Sequence, residues 1–127
     1  MAVPIRHEHV HFFLPESEIA KSQAWYAKIF GAKPGTRNNA AVADIPGGQL
    51  RYAKADTAQA PTKGRFLDHI GFDVKDVLGF IKRLEAEGIK LDEPYRKVEG
   101  SGVQLTYIVD PWGTRIELVQ RPVAPTN

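Results

Sequence analysis

The chain has no cysteine, which removes disulfides, thiolate metal sites and a cysteine nucleophile from the possible chemistry. Charge of one sign is also missing. Lys and Arg number 17 against 15 Asp and Glu, a net charge of +2 at pH 7. No basic run is long enough to track phosphates, so nucleic acid is not an expected partner. No apolar stretch approaches the length needed to cross a bilayer. Residues 1–6, Met-Ala-Val-Pro-Ile-Arg, carry no long apolar core ahead of a cleavage site, so no signal peptide is read there. These absences predict a cytoplasmic protein with no membrane partner.

What remains is the composition of a folded domain. At 127 residues, 43% of them apolar and 25% charged, the chain is long enough to bury a core without staples. A single domain over residues 1–127 is expected. Its most informative stretch is residues 67–74, Leu-Asp-His-Ile-Gly-Phe-Asp-Val. Clean alternation marks a strand, with Ile70, Phe72 and Val74 on one face and His69, Gly71 and Asp73 on the other.

Residues 7–14 read the same way, with Val10, Phe12 and Leu14 opposite His7, His9, His11 and Phe13. Ser17 is an N-cap candidate with Glu18 in the first turn, before a helical stripe of Ile19, Tyr26, Ile29 and Phe30 that ends at Gly31. Residues 33–39 read as a loop or irregular strand. Strands at 40–45 and 49–53 flank a Pro46-Gly47-Gly48 turn in type II order. After an aperiodic connector (55–65) and the 67–74 strand, Asp76 can cap a helix carrying Val77, Ile81 and Leu84, closed by Gly88. Strands follow at 93–98, 103–109 and 115–120, with a turn at 99–102 and an Asp-Pro-Trp-Gly type I turn at 110–113. Residues 121–127 form a Pro-rich tail expected to fray.

The order is βαββ(β), connector, βαβββ, so the chain is a candidate internal repeat. Module 1 covers about 6–55, the connector 56–65 and module 2 about 66–120. His9 aligns with His69, and Gly31 with Gly88. With a gap in the hairpin, Gln49-Leu50 aligns with Glu117-Leu118. The predicted class is α+β, with two βαβββ modules forming a curled mixed sheet and the helices on its outer face. His9, Gln49, His69 and Glu117 all leave the face that a helix should cover. If the uncovered faces curl into one cup, the four converge. Two imidazoles, a carboxylate and an amide oxygen suit a divalent ion such as Zn, Ni, Co, Mn or Fe. His7 and His11 share the face of His9, and only the repeat favours His9.

His9-Val10, Trp25-Tyr26 before Phe30-Gly31, Asp68-His69-Ile70-Gly71-Phe72, and residues 110–118 (Asp-Pro-Trp-Gly-Thr-Arg-Ile-Glu-Leu) resemble the vicinal oxygen chelate superfamily. That superfamily includes glyoxalase I, methylmalonyl-CoA epimerase, extradiol dioxygenases, and fosfomycin- and bleomycin-resistance proteins. The resemblance implies paired βαβββ modules and, for so short a chain, a homodimer that completes its metal sites by pairing or module exchange. It also implies metal ligation by His9, His69 and Glu117, with Gln49 fourth. The activity so implied is that of a glyoxalase-like lyase or isomerase, which binds a small substrate with vicinal oxygens and stabilises an enediolate. Glu117 is the carboxylate placed to move the proton.

The glyoxalase I pattern is incomplete here, because Gln49 stands where a second glutamate is usual. The epimerase pattern lacks its extra glutamate, with Asp44 the only stand-in. The alternatives are a metal-free binder of the bleomycin-resistance kind, or a dioxygenase or epimerase of the same superfamily. His11 and Arg51 are candidate substrate contacts. Arg37-Asn38-Asn39 is a solvated loop that could meet an anionic substrate.

Overall fold

The structure, a computed structural model, describes residues 3–122. The chain divides into two compact units, Met1–Gln59 and Ala60–Asn127. Each is a βαβββ module with a four-stranded mixed sheet, so the class is α+β.

In unit 1 the elements are β1 (His9–Leu14), α1 (Glu16–Phe30), β2 (Lys33–Arg37), β3 (Ala40–Ile45) and β4 (Gly48–Lys54). The sheet order is β1-β4-β3-β2, with β1 parallel to β4 and the other pairs antiparallel. Helix α1 packs on β3, β2 and β4. Tyr26 and Ile29 of α1, Ala43 of β3 and Leu50 and Tyr52 of β4 are buried there. Alternation along β4 puts Gln49 and Arg51 on the opposite face.

Two local readings change in this unit. Ser17 does not cap α1. Pro15 takes the N-cap position without a side-chain cap bond, and the helix starts at Glu16. The fixed φ of proline ends the strand at Leu14, and Glu16 with Glu18 supplies negative charge to the first turn. Residues 33–37 form a regular strand, exposed along its whole length. It is joined to β3 by Asn38 and Asn39, both at positive φ (50° and 64°). Two successive left-handed residues make the two-residue turn whose twist matches a hairpin, and asparagine tolerates that conformation.

Unit 2 repeats the plan with β5 (His69–Asp73), α2 (Val77–Ala86), β6 (Glu93–Lys97), β7 (Gln104–Val109) and β8 (Arg115–Gln120), in the order β5-β8-β7-β6. Strand β5 is parallel to β8. Asp76 caps α2 by accepting from the Gly79 N–H, and Val77, Ile81 and Leu84 form the buried stripe. They share the core with Thr106 and Ile108 of β7 and Ile116 and Leu118 of β8. The Asp110 turn closes as its composition predicts. Gly113 N–H donates to Asp110 O at 3.2 Å, and Asp110 Oδ1 accepts from Trp112 and Thr114. Gly113 lies at φ 100°, and a Cβ there would come within 3.0 Å of Pro61 Cα, so glycine is required twice over. Of the predicted fraying tail, residues 123–127 lie outside the described residues.

Candidate functional site

Each module presents a polar cluster on the face of its sheet away from the helix. In unit 2, strand register puts Gly71, Glu117 and Tyr107 in one row across β5, β8 and β7, with His69 opposite Arg115 in the next row. His69 Nε2 lies 3.1 Å from Glu117 Oε2, and its Nδ1 lies 2.8 Å from Asp68 Oδ2. Both ring nitrogens therefore face carboxylates. A neutral imidazole carries one N–H and donates to only one of them. The Tyr107 ring meets the imidazole edge-on at 5.1 Å. Tyr107 is the register partner of Glu117. Burial, then the negative charge of Glu117, raises the tyrosine pKa above its usual value.

Behind this pair stands Arg115, with only 10% of its side chain exposed. It donates to Asp68 at 2.9 Å and to Asp92 at 3.0 Å, and lies 3.3 Å from Glu93 and 3.9 Å over the Tyr107 ring. Asp68 accepts from Gly64 N–H, His69 and Arg115, in that order of effect, and its carboxyl is held far below the usual carboxylate range. Gly71 has nothing within 4 Å of where a Cβ would stand, so the space beside Glu117 is open.

In unit 1, His9 and Gln49 are register partners on β1 and β4, as are His11 and Arg51. His9 Nδ1 lies 2.8 Å from Glu8 Oε2. The other Glu8 oxygen accepts from Arg37 Nη1 at 3.3 Å and from Arg51 Nη2. The bond to His9, then those from the arginines, lowers the Glu8 pKa from 4.5 to about 2. Gln49 donates to Asp44 at 2.6 Å, and its oxygen accepts from Arg51 Nε at 3.0 Å. His11 stacks on the half-exposed Phe13 at 5.0 Å.

The two halves thus share a device that sequence reasoning did not assign. An acid directly precedes each histidine, Glu8 before His9 and Asp68 before His69. Each acid holds Nδ1 at 2.8 Å and is itself held by an arginine of the parallel neighbour strand. A carboxylate on one ring nitrogen fixes the tautomer and turns the other toward a ligand. The repeated acid-His dipeptide was the available signal. Tyr107 had none, because only the β7–β8 register brings it to Glu117.

The register also changes the repeat alignment. With His9 matched to His69, Gln49 falls opposite the histidine as Arg115 does, and Arg51 is the counterpart of Glu117. The gapped match of Gln49 with Glu117 was therefore two residues out. Of the sequence-predicted residues, His69 and Glu117 come together, and His9 and Gln49 are neighbours. Among the described residues, neither unit by itself gathers three or more His, Asp or Glu into a group that could hold a metal ion.

A family model described as the Glyoxalase/Bleomycin resistance protein/Dioxygenase superfamily matches residues 9–118. A Bacillus anthracis protein assigned to the glyoxalase family is similar at TM-score 0.75 and 18% identity, over 96% of this chain and 100% of that one. The fosfomycin resistance protein FosX of Listeria monocytogenes is similar at TM-score 0.70 and 20% identity, over 97% of each chain. A virulence protein of Salmonella typhimurium is similar at TM-score 0.72 and 16% identity, over 95% of this chain and 100% of that one. At such identities these likenesses show a shared fold. No curated protein matches the sequence.

Proposed function

This chain belongs to the Glyoxalase/Bleomycin resistance protein/Dioxygenase superfamily, and from that membership we propose a metal-dependent lyase or isomerase acting on a small substrate with neighbouring oxygens. The observation that carries the reading is the His69–Glu117 pair. An imidazole nitrogen and a carboxylate oxygen 3.1 Å apart have the spacing of two donors that each stand about 2.0–2.2 Å from one ion. The acid on His69 Nδ1 supplies the supporting contact that such ligands need.

His9, supported in the same way by Glu8, is the proposed third ligand. Gln49 is the fourth, through the lone pair of its oxygen that Arg51 does not use. The proposed assembly is a homodimer, whose paired modules complete the ligand set. A divalent ion of the Zn, Ni, Co, Mn or Fe group, when bound, supplies positive charge that polarises two adjacent substrate oxygens.

The remaining work belongs to the side chains. Glu117 takes the proton from the carbon that bears one of those oxygens, beside the carbonyl carbon that bears the other. It returns the proton to one of these two carbons once the electron pair has moved onto the carbonyl oxygen. Tyr107, the register partner of Glu117, stands beside that carboxylate. Gly71 leaves room for the substrate beside it, and His11 and Arg51 contact the substrate's far end.

The test is metal analysis of protein purified without added metal. The reading expects about one divalent ion per chain, lost in His69→Ala and in Glu117→Ala with the fold retained by circular dichroism. Protein that stays folded and takes up no divalent ion after dialysis against Zn, Ni, Co, Mn or Fe would overturn it. That result would favour a second reading, metal-free sequestration of a small aromatic ligand. The half-exposed Phe13, stacked on His11, supports this alternative.

A further inference from the structure

We propose that module 1 carries a subsite for a small oxyanion (a carboxylate, phosphonate or phosphate group) between Arg37 and Arg51, and that the Glu8 carboxylate is its built-in competitor. The proposal stands on unit 1 alone and does not depend on the metal reading.

A hollow of about 230 Å³ opens on the polar face of the unit 1 sheet, lined by His11, Arg37, Asn38, Val42 and Arg51 among others. His11, Arg37, Asn38 and Arg51 offer donors there, and both arginines are bonded to the Glu8 carboxylate. Two guanidinium groups converging on one point form the arrangement that binds oxyanions through paired, charge-assisted bonds. Glu8 demonstrates the fit, since one of its oxygens accepts from both arginines at once.

Glu8 is nevertheless an exposed occupant. Its side chain is 58% exposed, against 22% for Arg51. Solvent screens its bonds to the arginines, and an anion from solution can reach and compete for them. Arg51 stays in place when Glu8 leaves, because its Nε donates to Gln49, and this leaves the Nη atoms to an incoming anion.

The repeat supplies an independent reason. Arg51 occupies the strand position that Glu117 occupies in module 2. The same backbone slot offers a base in one module and an acid in the other, so the two slots suit opposite charges. The Arg37 side of the hollow is set by the Asn38-Asn39 turn, which folds β2 back alongside β3.

The experiment is an NMR titration of metal-stripped protein with inorganic phosphate and, separately, acetate, following backbone amides and arginine Nε–H signals. Saturable shifts confined to His11, Arg37, Asn38 and Arg51 are expected. Glu8→Gln, which removes the competitor, should tighten phosphate binding at least threefold. Arg51→Met and Arg37→Met should each weaken it at least tenfold, whereas Arg121→Met and His69→Ala should leave it unchanged. Shifts spread over surface lysines without saturation, or a Glu8→Gln protein that binds phosphate no better than the parent, would overturn the proposal. If Arg51→Met fails to fold, the Glu8→Gln and Arg37→Met titrations still decide. Metal content measured on the same His69→Ala sample reports separately on the reading of the preceding section.

Discussion

Replacing Arg115 with methionine tests whether the polar cluster of unit 2 is built from the inside out. The guanidinium is 10% exposed and touches three acids whose side chains are 33%, 20% and 47% exposed, namely Asp68, Asp92 and Glu93. Breaking a fully buried ion pair by removing one partner costs about 3–5 kcal/mol. Here the acids reach water and Asp92 keeps Lys63 at 2.8 Å, so the expected loss falls to about 2–3 kcal/mol. That corresponds to a fall in Tm of roughly 8–15 °C for a domain of this size. Thermal unfolding by circular dichroism measures it.

The pH dependence has a definite sign. Asp68 and Asp92 have folded-state pKa values lowered, Asp68 chiefly by Gly64 N–H and Asp92 chiefly by Lys63, with Arg115 contributing to each. Their stabilisation is present above the unfolded carboxylate range and is lost as pH falls through the folded values. The gap between parent and variant should therefore be full at pH 7 and shrink below pH about 4. It should also narrow in 1 M salt, where repulsion among the stranded acids is screened. A variant within about 0.5 kcal/mol of the parent at pH 7, the scale of an ordinary surface change, would refute the reasoning.

Gly71→Ala should fold like the parent, since a Cβ there meets nothing within 4 Å. Gly71→Leu should also fold but fill the space beside Glu117, so that small-molecule ligands seen with the parent by calorimetry are lost. Gly48→Ala should destabilise, because its Cβ would stand 3.2 Å from Glu8 O and 2.8 Å from His7 Nδ1; a denaturant midpoint equal to the parent's would contradict this. Asp76→Ala removes the α2 cap bond to Gly79 and should cost about 1 kcal/mol in chemical denaturation. The Glu8 carboxyl carbon should titrate in NMR at about 2 instead of 4.5, and in Arg51→Met its midpoint should move upward.

Much of the fold was legible because its signals are local. Alternation marked β3 and β8 to the residue, and Asp76, Gly31, Gly47 and Gly113 stand where their backbone chemistry predicts. Strand β2 was harder to see. Lys-Pro-Gly-Thr-Arg has no apolar alternation, because none of its residues is buried, so periodicity carries no information there. The Asn38-Asn39 pair was the only cue, and it encodes the turn, not the strand. For the site, face parity put His9, Gln49, His69 and Glu117 on the faces away from the helices; within the units, His69 meets Glu117 and His9 pairs with Gln49. Parity could not fix the repeat alignment. A slip of one residue turns every side chain over and is easily noticed, but a slip of two keeps every residue on its face. That is the error which matched Gln49, instead of Arg51, to Glu117.

The acid beside each histidine escaped notice for a related reason. Neighbours in a strand point to opposite faces, so parity assigns Glu8 and Asp68 to the helix side, away from His9 and His69. Yet β1 begins at His9 and β5 begins at His69. Each acid stands one residue before its strand, where the pleat no longer dictates direction and the side chain can swing back to Nδ1. What holds it there comes from across the sheet: Arg51 on β4 for Glu8 and Arg115 on β8 for Asp68. The two arginines occupy different register positions, so the support was reached from different slots in the two modules. Module 2 has an arginine in the slot beside its histidine and Glu117 two residues on. Module 1 has Gln49 in the first slot and Arg51 in the second, so the same register position carries a carboxylate in one module and a guanidinium in the other.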